Sequence, residues 1–334
     1  MKELHKIINK SKAEDIINNM RGKKIAVVGD VMLDIYYWGS VSRISPEAPV
    51  PVIDIEKETA HLGGAANVAA NLKSLGVKAY LCGMIGNDNS GRIFSDLTKK
   101  MDIDIIAIYV DDERPTTVKT RVMGNNQHIA RIDREKRNPV DKKGYDYIIE
   151  NIKNIDNLDG IILEDYNKGV VTLELIQEVI AFAKENNIPV YVDPKFDNFF
   201  AYQGVALFKP NKKEASKALG MEINSIEDVR NAGKRLLSEL NAENILLTLG
   251  ADGMMLIEKN GNITQVPTIA RNVSDVSGAG DTAIATLSAS VAAGANMVEA
   301  AALANFASGI VCESPGIVSI KPEELLKSIK SEDN

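Results

Sequence analysis

Cysteine, histidine and tryptophan are scarce in this chain of 334 residues, which has two, three and one of them. The two cysteines, Cys82 and Cys312, each sit in an apolar run. They exclude a disulfide framework and a CxxC zinc centre, and they suit a reducing compartment with buried thiols. The histidines, His5, His61 and His128, are scattered, which leaves nothing for a histidine metal cage and argues against a Ser-His-Asp triad. The N-terminal text MKELHKIINKSKAED lacks the apolar core of a signal peptide, and no run of about 18 apolar residues follows that would span a membrane. An excess of positive charge is missing too, with 39 Lys and Arg against 46 Asp and Glu and a net charge of −7. Net charge therefore does not drive binding to nucleic acid or an anionic membrane, and any phosphate must be bound by a local device. The expectation is a soluble, cytoplasmic protein with no nucleic-acid or membrane partner.

What is abundant is apolar sequence, 45% of the chain, enough for the core of one large α/β domain. Lys24 to Asp30 is a short apolar run ending in Gly-Asp, which reads as a buried strand with a polar residue at its carboxyl end, where ligands collect in parallel α/β sheets. From Ile35 to Glu58 the text turns to aromatics, three prolines and alternation, and a second segment of this kind runs through Thr116 to Val122 and Ile129 to Asp133. These predict a small antiparallel sheet inserted into the body as a lid, with segments at about 35–58 and 107–134. The body resumes with strands at 160–163, 190–193, 205–208 and 245–248 and helices at about 172–186 and 226–240. That alternation predicts a mostly parallel sheet covered by helices, followed by two alanine-rich helices at 279–293 and 297–311. One domain, 1–334, is expected.

The most specific text is Asp275-Val-Ser277-Gly278-Ala279-Gly280-Asp281, followed by a helix of small residues. A Gly-Ala-Gly turn at a helix start leaves backbone N–H groups open, and the helix dipole adds to their pull on an anion such as phosphate. Asp281 in the first turn could then accept a proton from an attacking hydroxyl. An ordinary helix start, where Asp and Gly are also favoured, is the plainer alternative. Gly63 and Gly64 open a second small-residue helix containing Asn67, and would allow a ligand close to the backbone or simply close helix packing. Asp30 and Asp34 could hold vicinal sugar hydroxyls or could merely form turns. Asn211 and Glu214, after a strand, could organise hydrated Mg²⁺ and phosphate, and Thr248, Gly250 and Gly253 have the text of a nucleotide-edge loop.

In this order the segments resemble the ribokinase-like (PfkB-type) carbohydrate kinases over nearly the whole chain. The text is most similar to the D-glycero-β-D-manno-heptose 7-phosphate kinases of ADP-heptose synthesis. That closer likeness rests on Tyr37 to Val52, Arg114 to Arg121, Asp165-Tyr166-x-Lys168-Gly169 and Asp193-Pro194-Lys195. The resemblance implies a three-layer α/β/α sandwich with a β lid, ATP with Mg²⁺, and transfer to the anomeric hydroxyl of a heptose phosphorylated at C7. It implies Asp281 as base; Gly278, Ala279 and Gly280 as anion hole; Asp30, Asp34, Gly63, Gly64 and Asn67 on the sugar side; Asn211 and Glu214 for Mg²⁺, through water; Thr248, Gly250 and Gly253 for the nucleotide; and Asn305 near the adenine. Arg43, Arg114, Lys119, Arg121, Arg131, Lys168 and Lys195 supply a local basic density for the sugar's phosphate, with Lys168, Lys195 and Arg121 foremost. Ser277 stands where the family has threonine, and Cys312 to Gly316 departs from the glycine- and lysine-rich stretch that goes with a monovalent cation (K⁺) near Asp275. Trp38 is expected to pack in the lid or at a dimer contact, and exposed lid edges predict a homodimer. Bifunctional relatives continue into a nucleotidyltransferase domain; none is read before Asn334, so that step is expected of another protein.

Overall fold

The computed structural model describes residues 7–125, 127–268 and 275–329. Strand β1 (Lys24–Gly29) is apolar and buried on both faces, with Ile25 and Val27 in one core and Ala26 and Val28 in the other. That double burial is what a central parallel strand requires. Beyond it come β2 (Val31–Ile44), β3 (Pro51–Gly64), β4 (Lys78–Gly86), β5 (Asp104–Asp111), β6 (Val118–Gly124), β7 (Gln127–Arg134) and β8 (Gly160–Glu164). The later strands are β9 (Val190–Asp193), β10 (Leu207–Phe208), β11 (Asn244–Thr248), β12 (Met254–Glu258) and β13 (Ile263–Val266). Nine of them form one sheet in the order β13-β12-β11-β10-β9-β8-β1-β4-β5. Its strands run parallel except β12, which is antiparallel to both β11 and the edge strand β13.

Ten helices are described: α1 (Lys10–Asn19), α2 (Ala65–Ser74), α3 (Asn89–Lys100), α4 (Lys142–Lys153), α5 (Leu173–Glu185), α6 (Lys212–Leu219), α7 (Ile226–Leu240), α8 (Ala279–Ala292), α9 (Met297–Cys312) and α10 (Pro322–Ser328). Residues of α4 to α7 pack into one core and those of the other six into the second, which gives the expected three-layer sandwich. In α8 every residue from Asp281 to Ser290 is buried, and in α2 every residue from Ala65 to Leu72. Their small side chains let helices approach closely with no polar face to keep wet, and α8 packs between α2 and α9.

The second sheet has four strands in the order β3-β2-β6-β7. Its central pair β2/β6 is parallel, flanked by the antiparallel pairs β2/β3 and β6/β7. The chain passes from β1 into this sheet across the single residue Asp30. The lid bounds need correction, since the small sheet spans Val31–Gly64 and starts again only at Val118. Residues 107–111 belong instead to β5, the edge strand of the large sheet, where Ala107 and Ile108 are buried while Ile106 and Val110 face outward. Ala107 and Ile108 enter opposite cores, but the exposed Ile106 and Val110 on either side give this edge strand the half-covered text of a lid strand. Trp38 packs within the small sheet, stacked on Tyr36 at 5.5 Å. Cys82 is buried in β4, whereas Cys312 at the end of α9 is only half-buried. No helix among the described residues is long and apolar enough to cross a membrane.

Candidate active site

Parallel strands deliver their carboxyl ends to one edge. The registers Gly29 to Glu164 and Glu164 to Asp193 bring Asp30, Glu164 and Asp193 side by side, with Lys209 just past β10. Facing them is the start of α8. Its N-cap Gly278 has φ 80°, and α2 likewise begins at a glycine, Gly64, with φ 58°. Neither helix has a side-chain cap, whereas α1, α3 to α7 and α9 each carry one. The Ala279 N–H is held by the Val276 carbonyl at 3.3 Å, so the first-turn amides of α8 that an anion could meet are those of Gly280 and Asp281. A Cβ on Gly278 would lie 2.7 Å from Asn67 Nδ2, so a side chain there would collide with the site.

Asp281, in that first turn, is 4% exposed. Asn67 Nδ2 donates to its Oδ2 at 2.7 Å and the Tyr166 hydroxyl donates to its Oδ1 at 2.7 Å. Carboxylate oxygens of Asp281, Glu164 and Asp193 lie within 4.8 Å of one another. Lys209, also buried, balances them with its Nζ 2.7 Å from Asp193 Oδ2. Burial pushes the Asp281 carboxyl above its ordinary value, although the bonds from Asn67 and Tyr166 oppose the rise. Glu164, fully buried and with neither oxygen hydrogen-bonded, is pushed well up by burial and then by Asp193 and Asp281. For Lys209 burial pulls the ammonium down, but Asp193 and Glu164 outweigh it and hold it above its usual range. Gly280 opens onto this ion pair, for a Cβ there would stand 3.5 Å from both Lys209 Nζ and Asp193 Oδ2. Chemically the place joins a carboxylate able to take a proton to open amides and a buried ammonium able to take phosphoryl charge.

On the small-sheet side, Asp34 is paired with Arg121, and Gly63 lies directly against the Asp34 carboxylate. Lys119 from β6 is half-buried, and burial together with Lys168, Arg121 and Arg131 pushes its ammonium down against the pull of Asp34. Lys168 Nζ meets Glu135 at 2.6 Å. Asp30 departs from expectation: its carboxylate accepts from the backbone N–H groups of Tyr166, Lys168 and Val170 at 2.8 to 3.0 Å, so it clamps the loop after β8 instead of offering free oxygens to a sugar. Arg114 is spent in the same way, donating to backbone carbonyls of Lys168 and Asn138. Arg131 is taken by Asp133, and Arg43 lies on the exposed end of β2.

On the opposite side Asn211 caps α6, with Glu214 Oε2 accepting from its backbone N–H at 2.8 Å. The other oxygen of Glu214 holds Lys195 at 2.7 Å, and the same Nζ lies 5.0 Å from the Tyr166 ring, so Lys195 stands between the Asn211/Glu214 pair and the Asp281 side of the site. Thr248 bridges to Asn211, and Gly250 and Gly253 bracket a short turn beyond it. Gly253, with φ 85°, runs against the backbone of Val266, so close chain approach already accounts for it. The Asn305 amide donates to the Pro267 carbonyl at 2.7 Å. Asp275 accepts from the amides of Ser277 and Gly316, which engages both of its oxygens.

Sequence reasoning missed Lys209, Glu164 and Tyr166 as site residues. The signal was present for each: a polar residue closing an apolar strand, or the tyrosine between Asp165 and Lys168.

An uncapped glycine helix start aimed at a buried acid and lysine, on a three-layer sandwich with a small lid sheet, defines a class, that of the ATP-dependent sugar kinases. The pfkB family carbohydrate kinase pattern matches residues 22–324, and the chain belongs to that family. It is 40% identical over 326 residues to the "Bifunctional protein HldE" of Pelobacter propionicus, covering 96% of this chain and 66% of that protein. With the protein of the same name from Desulfatibacillum aliphaticivorans it shares 42% over 310 residues, 92% of this chain and 63% of the relative. The chain thus spans slightly under two thirds of these relatives' length. Among solved structures, phosphofructokinase-2 from Escherichia coli in complex with substrates and products aligns with a TM-score of 0.78 at 19% identity, covering 92% of this chain and 98% of that one. Arabidopsis thaliana ribokinase complexed with ribose and ATP aligns at 0.74 and 19%, covering 93% and 99%. At that identity the likeness concerns the fold.

Proposed function

We propose that this chain transfers the terminal phosphoryl group of ATP to the anomeric hydroxyl of D-glycero-β-D-manno-heptose 7-phosphate, supplying ADP-heptose synthesis in the cytoplasm. The observation that carries the substrate class is Lys119, half-buried with its Nζ 4.9 Å from the Tyr166 ring and close enough to Lys168, Arg121 and Arg131 for their charges to push its ammonium down, in a chain of net charge −7. Arg121, Lys168 and Arg131 already have carboxylate partners in Asp34, Glu135 and Asp133, so Lys119 is the cation best placed to meet a sugar phosphate with a charge-assisted hydrogen bond. Asp281 accepts the proton of the attacking hydroxyl while the open α8 amides and Lys209 take the transferred group. Two glycines at the α8 start, with Lys209 behind one of them, fit a phosphate of ATP. Glu214 and Asn211 are the groups for hydrated Mg²⁺, which neutralises phosphate charge when bound. Similarity to the two HldE proteins over most of this chain supports the heptose assignment.

The test is an ADP-release assay across free and phosphorylated sugars. Heptose 7-phosphate is expected to exceed free heptose by about 10²-fold or more in kcat/KM, the worth of one or two such contacts. Equal turnover of the two, or faster turnover of ribose, fructose or a nucleoside, refutes the heptose-phosphate reading.

A further inference from the structure

Tyr166 has three engagements at the site and no role yet. Its hydroxyl donates to Asp281 Oδ1 at 2.7 Å. Against its ring lie two ammonium groups, Lys119 Nζ from the small sheet at 4.9 Å and Lys195 Nζ from the body at 5.0 Å. Its backbone N–H is held by Asp30 at 2.8 Å. Backbone, ring and hydroxyl are thus each fixed by a different element, and an over-determined side chain of this kind holds its partner in one geometry.

We propose that Tyr166 is a positioning residue for Asp281: its hydroxyl fixes Oδ1 while Asn67 fixes Oδ2, which orients the carboxylate and biases it toward its charged form. The groups that face Asp281 from the packed elements are Glu164 on β8, Asp193 on β9, Lys209 after β10, and Tyr166 itself. Glu164 and Asp193 are acids that disfavour a second charge. Lys209 favours it, and the phenol adds a donated hydrogen bond in the same sense. Burial and the neighbouring carboxylates push the Tyr166 phenol well above its ordinary value, so it stays a donor throughout the working range. The inference rests on the assignment of Asp281 as proton acceptor, and its test is chosen to separate the two.

Two readouts are taken on the full chain. In the first, the Asp281 carboxylate is titrated by carbon NMR in the wild type and in Tyr166→Phe, assigned through its absence in Asp281→Asn. In the second, the pH profile of kcat is measured for both proteins with the acceptor the wild type uses best. Tyr166→Phe keeps the ring beside its lysines and loses only the hydroxyl, so the carboxylate midpoint and the acid limb of kcat should both move up by about one pH unit. Nucleotide affinity should stay within about twofold, a change too small for a lost contact. Incorporating 3-fluorotyrosine at 166, a stronger donor of the same shape, should move the midpoint down. An Asp281 midpoint unchanged in both substituted proteins overturns the positioning role, whatever the activity. A shifted midpoint with no shift of the acid limb supports Tyr166's hold on Asp281 and instead overturns Asp281 as the proton acceptor.

Discussion

Replacing Lys209 with methionine removes the buried cation paired with Asp193 and leaves Glu164, Asp193 and Asp281 crowded within 4.8 Å. The pair it breaks is short, 2.7 Å, between side chains 3% and 9% exposed. With an effective dielectric near 20 the gross attraction at that separation is about 6 kcal/mol. Removing one partner of such a buried pair costs about 3–5 kcal/mol net, because the other charge stays behind. The sign with pH follows from the acids: Asp281 and Glu164 already stand above their ordinary values, and loss of the ammonium raises them further. A carboxyl raised in the folded state contributes stability while protonated and loses it as pH rises through the folded value. Lys209→Met should therefore be destabilised most at pH near 8 and less as pH falls toward 6. Urea unfolding at both pH values reads the difference directly. The double variant Lys209→Met, Asp193→Asn, which removes the stranded charge as well, should recover more than half of the loss. A loss below about 1 kcal/mol, the range of a surface pair, would falsify the charge-balancing role of Lys209, and so would a double variant no better than the single one.

Two further outcomes concern the nucleotide side and assembly. Activity should vanish in excess chelator and return with Mg²⁺, and Glu214→Gln, which also weakens the bond to Lys195, should raise the Mg²⁺ concentration for half-maximal rate by roughly tenfold, about the worth of one charge-assisted contact; an unchanged Mg²⁺ dependence contradicts the assignment. Exposed Ile44, Ile55, Ile129 and Ile132 on the small sheet support a homodimer through that face; light scattering at micromolar concentration should give twice the chain mass, and a monomer refutes it.

The body of the fold was legible because its text is local. The apolar run ending in Gly29-Asp30 is β1, and the amphipathic run 226–240 coincides with α7. What misled was β5, whose exposed Ile106 and Val110 give a sheet edge the half-covered text of a lid strand. In the site, Asp281 and its glycines were legible as one contiguous stretch. Their partners were not: Asn67 stands 214 residues away and Tyr166 stands 115 away, and only the sheet order brings those positions together. Asp30 was misread for the same reason, because a carboxylate at a strand end looks alike whether it meets a ligand or three backbone amides.

The central claim is that Asp281 takes the proton from the sugar hydroxyl during phosphoryl transfer. Rapid-quench single turnover of Asp281→Asn with ATP, Mg²⁺ and the best acceptor tests it most directly, because it isolates the chemical step from product release. Asparagine preserves the shape and can still bond to Asn67 and Tyr166, so nucleotide affinity should stay near the wild-type value while the transfer rate falls roughly 10²- to 10⁴-fold, the range for loss of a positioned base. A transfer rate within about threefold of the wild type, too small a change for a lost base, contradicts the account.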